Sequence, residues 1–201
     1  MSSEELENTV EPSRRRLLLV GGFLVLAVLA VLLLFGGAFG SSSSSTSQAE
    51  ITSSLPPLGN EPVQVGDLAY DFRLQDPAGK SVTLGEHLGQ PVILNFWATW
   101  CAPCRIEMPE FQAALERHSA DGLVILALDQ NESADIVSAY FNELGLTFTP
   151  LLDDGATVAN AYGAFNLPTT IFIDRQGNVA GIHRGLLLQE QLDQQLVTIL
   201  E

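Results

Sequence analysis

The chain has 201 residues, with Lys+Arg 9 against Asp+Glu 24, a formal net charge of −15, and 46% hydrophobic residues. That length accommodates one ordinary globular domain and an additional segment, not two full domains. The acidity, relieved by one short basic run, excludes nucleic-acid binding, which needs Lys and Arg to displace condensed counterions, and two cysteines are too few for a disulfide-framework miniprotein.

Residues 1–16 form a polar N-terminal tail ending in Arg14-Arg15-Arg16, and residues 17–39 then run without a charge. At about 1.5 Å rise per helical residue this stretch spans roughly 34 Å, enough to cross a bilayer. A cleavable signal peptide has an apolar region of only about 7 to 15 residues, so the segment is predicted to be an uncleaved, single-pass signal-anchor helix. The arginine run also looks like a twin-arginine export signal, but it serves equally well to set topology. After Arg16 the next Lys or Arg is Arg73. The positive-inside rule therefore places residues 1–16 in the cytoplasm and everything after the anchor outside it, at the cell membrane. Residues 40–62, serine-rich and then bearing Pro56, Pro57 and Pro62, carry no helical or strand period and read as a flexible linker.

Residues 63–201 carry the pattern of a mixed α/β domain. Phe72 and Leu74 alternate with polar neighbours, Asp76-Pro77-Ala78-Gly79 supplies a turn, and Val82 and Leu84 resume the alternation, predicting a hairpin. Pro91 to Ala98 predicts a buried strand, Met108, Phe111 and Leu115 a helix, and Leu123 to Leu128 a second apolar strand. Strand, helix, strand in that order implies a parallel, right-handed crossover. Ile136, Val137, Tyr140, Phe141 and Leu144 form one helical stripe between Ser133 as N-cap and Gly145 as stop. Thr170 to Asp174 and Val179 to Arg184 flank the turn sequence Arg175-Gln176-Gly177-Asn178 and should pair antiparallel. A last helix is expected to bury Leu188, Leu192, Leu196 and Leu200.

The chemistry is concentrated at Trp100-Cys101-Ala102-Pro103-Cys104, between the first buried strand and its helix. A cysteine at a helix N-terminus lies beside unpaired N–H groups and the positive end of the helix dipole, which favour its thiolate. A second cysteine one turn on can attack a mixed disulfide formed on the first. Pro103 suits the first helical turn, where a missing N–H costs nothing. A structural disulfide closing so short a loop would contribute only about 2 kcal/mol. A metal site needs more ligands than the pair offers, and His87, His118 and His183 are scattered without ligand spacing. Trp100 reads as a packing and docking platform and Trp97 as core. The tripeptide Asn131-Glu132-Ser133 matches a glycosylation acceptor and is assigned no role.

The segment Asn95-Phe96-Trp97-Ala98-Thr99-Trp100-Cys101-Ala102-Pro103-Cys104 resembles the active site of the thioredoxin superfamily, and more narrowly that of the membrane-anchored TlpA/ResA-like thioredoxins. The similarity runs from Val65 to Glu201, includes Leu167-Pro168-Thr169-Thr170, and extends to AhpC/TSA-redoxin type domains. It implies a thioredoxin-like α/β fold: a central mixed sheet, four-stranded at its core and flanked by helices, with an N-terminal β-hairpin and an inserted helix-strand segment. It further implies a cis peptide bond before Pro168. Asn95 stands where ordinary thioredoxins carry a buried aspartate, and Glu107, three residues after the second cysteine, matches the acidic residue of the TlpA/ResA-like group. Cys101 is thereby implied as nucleophile, Cys104 as resolving thiol and Glu107 as proton carrier, with a redox-active Cys101–Cys104 disulfide. Trp100, Pro103, Leu167 and Pro168 are implied to meet substrate, Leu167 through backbone hydrogen bonds to an extended segment. Pro109 is expected to kink the helix.

The resulting expectation is an extracytoplasmic thiol-disulfide oxidoreductase, acting as a reductant and needing no dissociable cofactor. Its implied partners are disulfide-bearing proteins, apocytochrome c among them, and a transmembrane thiol-electron donor, because the compartment is oxidising. Ala102-Pro103 lacks the histidine of strongly oxidising relatives, which favours reduction. Two other readings keep the same fold: a module handling a soft metal such as copper through both thiolates, and a peroxiredoxin-like antioxidant.

Overall fold

A computed structural model describes residues 54–201. The expected tail, anchor helix and first part of the linker lie outside these residues. Among the described residues no helix is long and apolar enough to cross a membrane.

The β-branched and aromatic runs form strands, and the three- and four-spaced apolar runs form helices, in the order β1 (Arg73–Gln75), β2 (Ser81–Thr83), β3 (Val92–Trp97), α1 (Ala102–Arg117), β4 (Val124–Asp129), α2 (Ala134–Leu144), β5 (Thr149–Leu152), α3 (Thr157–Ala161), β6 (Thr169–Ile173), β7 (Val179–Arg184) and α4 (Gln189–Leu200). The strands make one mixed sheet ordered β2-β1-β5-β4-β3-β6-β7. The four-stranded core β5-β4-β3-β6 is thus extended on both sides. The hairpin attaches through a single register pair, Gln75–Leu152, and β7 closes the other edge. β3 and β4 run parallel, with Val92 opposite Val124 through to Trp97 opposite Asp129, as the crossover requires.

Alternation along β3 separates two cores. Val92, Leu94 and Phe96 face a cluster with Val63, Phe72, Val158 and Tyr162. Ile93 and Trp97 face a cluster with Met108 and Phe111 of α1, Val137 and Phe141 of α2, and Leu192 and Leu196 of α4. Asn95 shares the parity of Ile93 and Trp97, so a buried amide is placed on the α1 side.

Several expectations need correction. Leu84 does not extend β2 but opens a short 3-10 turn, Leu84–His87. Ile136 and Leu144 are exposed, so α2 buries only Val137, Tyr140 and Phe141 of its stripe. Leu188 is exposed at the N-cap of α4, and Ile199 rather than Leu200 completes the buried face. The helix α3 had no counterpart in the apolar pattern. It is held at its start by Asp153, whose carboxylate accepts from Val158 N (3.0 Å) and Ala159 N (2.8 Å).

Residues 54–62, which composition assigns to the linker, belong to the folded body. Leu55 is buried, Pro56 O accepts from Asp71 N at 2.6 Å, and Glu61 O accepts from the Tyr70 hydroxyl at 3.0 Å. Gly177 has φ +87°, and a Cβ on it would stand 2.6 Å from Leu55 Cδ2, so this turn glycine also makes room for Leu55. Leu55→Ser should therefore lower global stability by about 1–3 kcal/mol, from lost apolar burial and an added hydroxyl. Urea unfolding measures it, and an unchanged midpoint would mean that the segment only rests on the surface.

Candidate active site

The loop from Ala98 to Cys101 carries β3 into α1. Cys101 N donates to Ala98 O at 3.2 Å, closing the turn. Cys101 is the N-cap of α1, with extended backbone (φ −80°, ψ 100°), and its Sγ accepts from Cys104 N at 3.3 Å. A sulfur thus occupies the place of the usual capping oxygen, satisfying one of the free amides at the helix start. The same amide and the positive helix end will stabilise the Cys101 thiolate once the pair is reduced. Cys101 and Cys104 are joined in a disulfide. Cys101 retains 5% exposure and Cys104 none. Pro103 lies in the first turn, half-buried. Pro109, inside α1, has no N–H for the carbonyl four residues before it.

Glu107 is enclosed, at 1% exposure. Its Oε1 accepts from Asn95 Nδ2 at 2.8 Å and its Oε2 from Leu187 N at 3.1 Å. The Asn95 amide also donates to Thr170 Oγ1 at 3.2 Å. Burial pushes Glu107 up to about 7, and the two donors offset only part of that rise. A carboxyl that gains and loses a proton near neutrality therefore lies one helical turn beyond Cys104, on the buried side of α1.

The peptide bond between Leu167 and Pro168 is cis. The β3–β6 register ends at Phe96–Thr169, so these two residues leave the sheet where β3 hands over to the cysteine loop. Leu167 packs against the cluster that contains Cys101 and Cys104. Among the described residues neither its N–H nor its carbonyl takes part in a turn, loop or cap hydrogen bond. Trp100, at 69% exposure, stands outside the buried cluster of the cysteines, and Phe165, equally open, lies three residues before Pro168. A groove of about 490 Å³ near β1 and α3 is lined by Leu58, Phe72, Arg73, Asp153 and Asp154 and includes neither cysteine. Among the described residues no three His, Cys, Asp or Glu side chains are arranged to hold a metal ion.

The sequence pattern missed Thr99, Asp129 and Glu132. Glu132 grips Thr99 from across the sheet edge, accepting from its N–H and its hydroxyl at 2.5 Å each. The one available signal was Asp129, a charge ending the apolar run Val124 to Leu128.

Residues 65–182 match the AhpC/TSA family. A thiol-disulfide oxidoreductase ResA of Geobacillus thermodenitrificans is 39% identical over 68% of this chain and 79% of that protein. ResA of Halalkalibacterium halodurans is 35% identical over 65% and 74%. Among solved structures, a Chlorobium tepidum protein assigned as the thiol:disulfide interchange protein DsbE superposes with a TM-score of 0.65 at 30% identity, covering 69% of this chain and 99% of its own.

Because the folded state holds the Glu107 proton up to about pH 7 while the unfolded chain releases it near 4.5, stability falls as pH rises through that window. The full effect is on the order of 3 kcal/mol. Glu107→Gln should remove the share of that slope due to Glu107, leaving the share due to the buried Asp129 and Asp153, and urea midpoints of the oxidised protein across the window will read the difference. Parallel slopes in both proteins would assign the buried proton elsewhere.

Proposed function

The chain belongs to the AhpC/TSA family and to the ResA-like thiol-disulfide oxidoreductases within its reach, and from this premise we propose that it is a membrane-tethered reductant of protein disulfides outside the cytoplasm. The chain is an oxidoreductase with disulfide-bearing proteins as substrates. The observation that carries the mechanism is Cys101 Sγ at the N-cap of α1, accepting from the Cys104 amide, with Cys104 enclosed behind it.

In the reduced protein the Cys101 thiolate attacks one sulfur of a substrate disulfide. A mixed disulfide forms, the substrate bond breaks, and the departing thiolate takes up a proton from solvent. Cys104 then loses its proton to the Glu107 carboxylate and attacks Cys101 Sγ. The internal disulfide forms, the second substrate sulfur leaves as a thiolate, and two electrons have passed from protein to substrate. Glu107 returns its proton when the pair is reduced again, and a pKa near 7 suits a group that must both accept and give. Leu167 offers an unpaired backbone edge on which an extended substrate segment can lie, and Trp100, next to Cys101 in the chain, an exposed aromatic surface. The path needs no dissociable cofactor.

The tether rests on the uncharged residues 17–39 behind three arginines, which set the N-terminus in the cytoplasm and the cysteines in an oxidising compartment. Reducing work there needs electrons from a transmembrane thiol donor. An apocytochrome c with paired cysteines is the acceptor that the ResA-like resemblance favours.

The full chain should reduce insulin disulfides, Cys101→Ala should abolish this, and Cys104→Ala should accumulate a mixed disulfide through Cys101. Trapping through neither cysteine, or retention of copper without dithiol turnover, would overturn the assignment. Glu107→Gln should lower turnover roughly 100-fold or more near pH 7, the usual worth of a positioned proton carrier. The chain should remain with membranes through alkaline extraction, and protease added to spheroplasts should reach the domain; release into the soluble fraction would remove the tether.

A further inference from the structure

Asp129, the last residue of β4, is wholly enclosed and lies opposite Trp97 in the parallel register, at the point where β3 enters the cysteine loop. Its Oδ1 accepts from Glu132 N at 3.0 Å, while its Oδ2 is sealed from solvent with no donor beside it. Its carboxyl is within hydrogen-bonding reach of the carboxyl of Glu132. Glu132 in turn spends both oxygens on Thr99, one on the amide and one on the hydroxyl. Thr99 sits inside the Ala98–Cys101 turn, two residues before the nucleophile. The chain of contacts Asp129, Glu132, Thr99 therefore ends on the loop that presents Cys101.

Two carboxyls in contact at a buried site cannot both be charged, so one proton must serve the pair. Both oxygens of Glu132 already accept from Thr99, which leaves the place for the proton on Asp129, the member whose second oxygen has no donor. We propose that Asp129, as a carboxylic acid donating to Glu132, is a positioning residue for the active-site loop, and that its ionisation in alkaline solution drives Glu132 away from Thr99 and slows Cys101 chemistry. The charged groups facing Asp129 are Glu132 from the loop after β4 and Asp154 from the turn after β5. Asp153 beside them donates its N–H to Asp129 O at 2.9 Å and commits its carboxylate to α3. All are acidic, so no facing cation offsets the conflict. Burial, then Glu132, pushes Asp129 up to about 8.

The inference rests on Cys101 being the attacking thiol. It is tested by insulin reduction with the full chain, comparing wild type and Asp129→Asn from about pH 6 to about pH 9, on either side of that value. Asparagine copies the protonated acid: Oδ1 for Glu132 N and an N–H for the Glu132 carboxylate. The ratio of kcat/KM, variant over wild type, should climb by about tenfold across the range, since loss of alignment at a reacting atom can cost more than that. Wild type should also lose urea stability relative to Asp129→Asn as pH rises to about 8, because the folded state retains a proton that the unfolded chain has released. If Asp129→Asn does not fold, Glu132→Gln carries the test: without the second charge its activity profile must lack the alkaline fall, and keeping that fall overturns the proposal. A flat ratio with turnover intact overturns the positioning role alone. Absence of insulin reduction by wild type at every pH overturns the dithiol reading, and the proposal with it.

Discussion

One buried carboxyl ties four pieces of the chain together. Glu107 on α1 receives the Asn95 amide from β3 and the Leu187 N–H from the segment between β7 and α4, while Asn95 reaches on to Thr170 of β6. These contacts lie in an otherwise apolar cluster with Trp97, Met108 and Phe111. An unpaired polar group there would be costly, so each partner fixes the others. The orientation of α1 against β3, and with it the placement of the two sulfurs, follows from this knot. An amide at position 95 has a consequence that an aspartate would not. Asn95 Oδ1 has no donor, and a rotated amide would present that oxygen to a protonated Glu107 as readily as it now presents Nδ2 to the carboxylate. Asparagine is therefore compatible with both states of a proton carrier, whereas a second acid would compete for the same proton.

Two enclosed acids, Glu107 and Asp129, hold their protons toward neutrality for the same first reason, burial, yet their neighbours assign them different work. Glu107 is met by two N–H donors, which keep its carboxylate accessible as a proton acceptor. Asp129 is met by other acids, which keep it neutral. One stands a helical turn beyond Cys104, the other behind the loop that carries Cys101. Asp129 lies where a parallel strand ends, the edge at which α/β sheets gather their reactive groups, while Glu107 meets β3 at Asn95, within the strand.

The local code was legible where a few neighbouring residues decide the outcome. Gly177 and Asp174 determine the β6–β7 turn, Gly145 stops α2, and the cysteine pair marks the start of α1. Periodicity gave the inward face of each helix but not the extent of the surface it meets. That is why Ile136, Leu144 and Leu188 stay exposed although they continue an apolar stripe. Residues 54–62 carry the composition of a linker, and only the socket formed by Gly177 and Leu88 makes Leu55 a core residue. Glu132 and Thr99 are 33 positions apart, so their contact exists only once β3 and β4 lie side by side. The resemblance to TlpA/ResA-like thioredoxins pointed to the cysteines, to Glu107 and to the cis bond before Pro168, because each belongs to a short stretch of sequence that can be matched by itself. It did not reach the acid pair, which no local pattern announces.

The unequal exposure of the sulfurs orders the chemistry. Cys104 is closed to any partner from outside, while Cys101 keeps a small opening next to the exposed Trp100. A substrate disulfide must therefore meet Cys101 first. When the pair is oxidised, an incoming thiolate must attack that same sulfur to release Cys104. In the proposed cycle acceptor and donor therefore share one entrance and cannot occupy it together, so turnover would alternate between two half-reactions, with the protein itself carrying the electrons between them. Cys104, sealed from outside attack, is free to act only on Cys101, which protects the mixed disulfide from a wrong exchange during the interval before it is resolved.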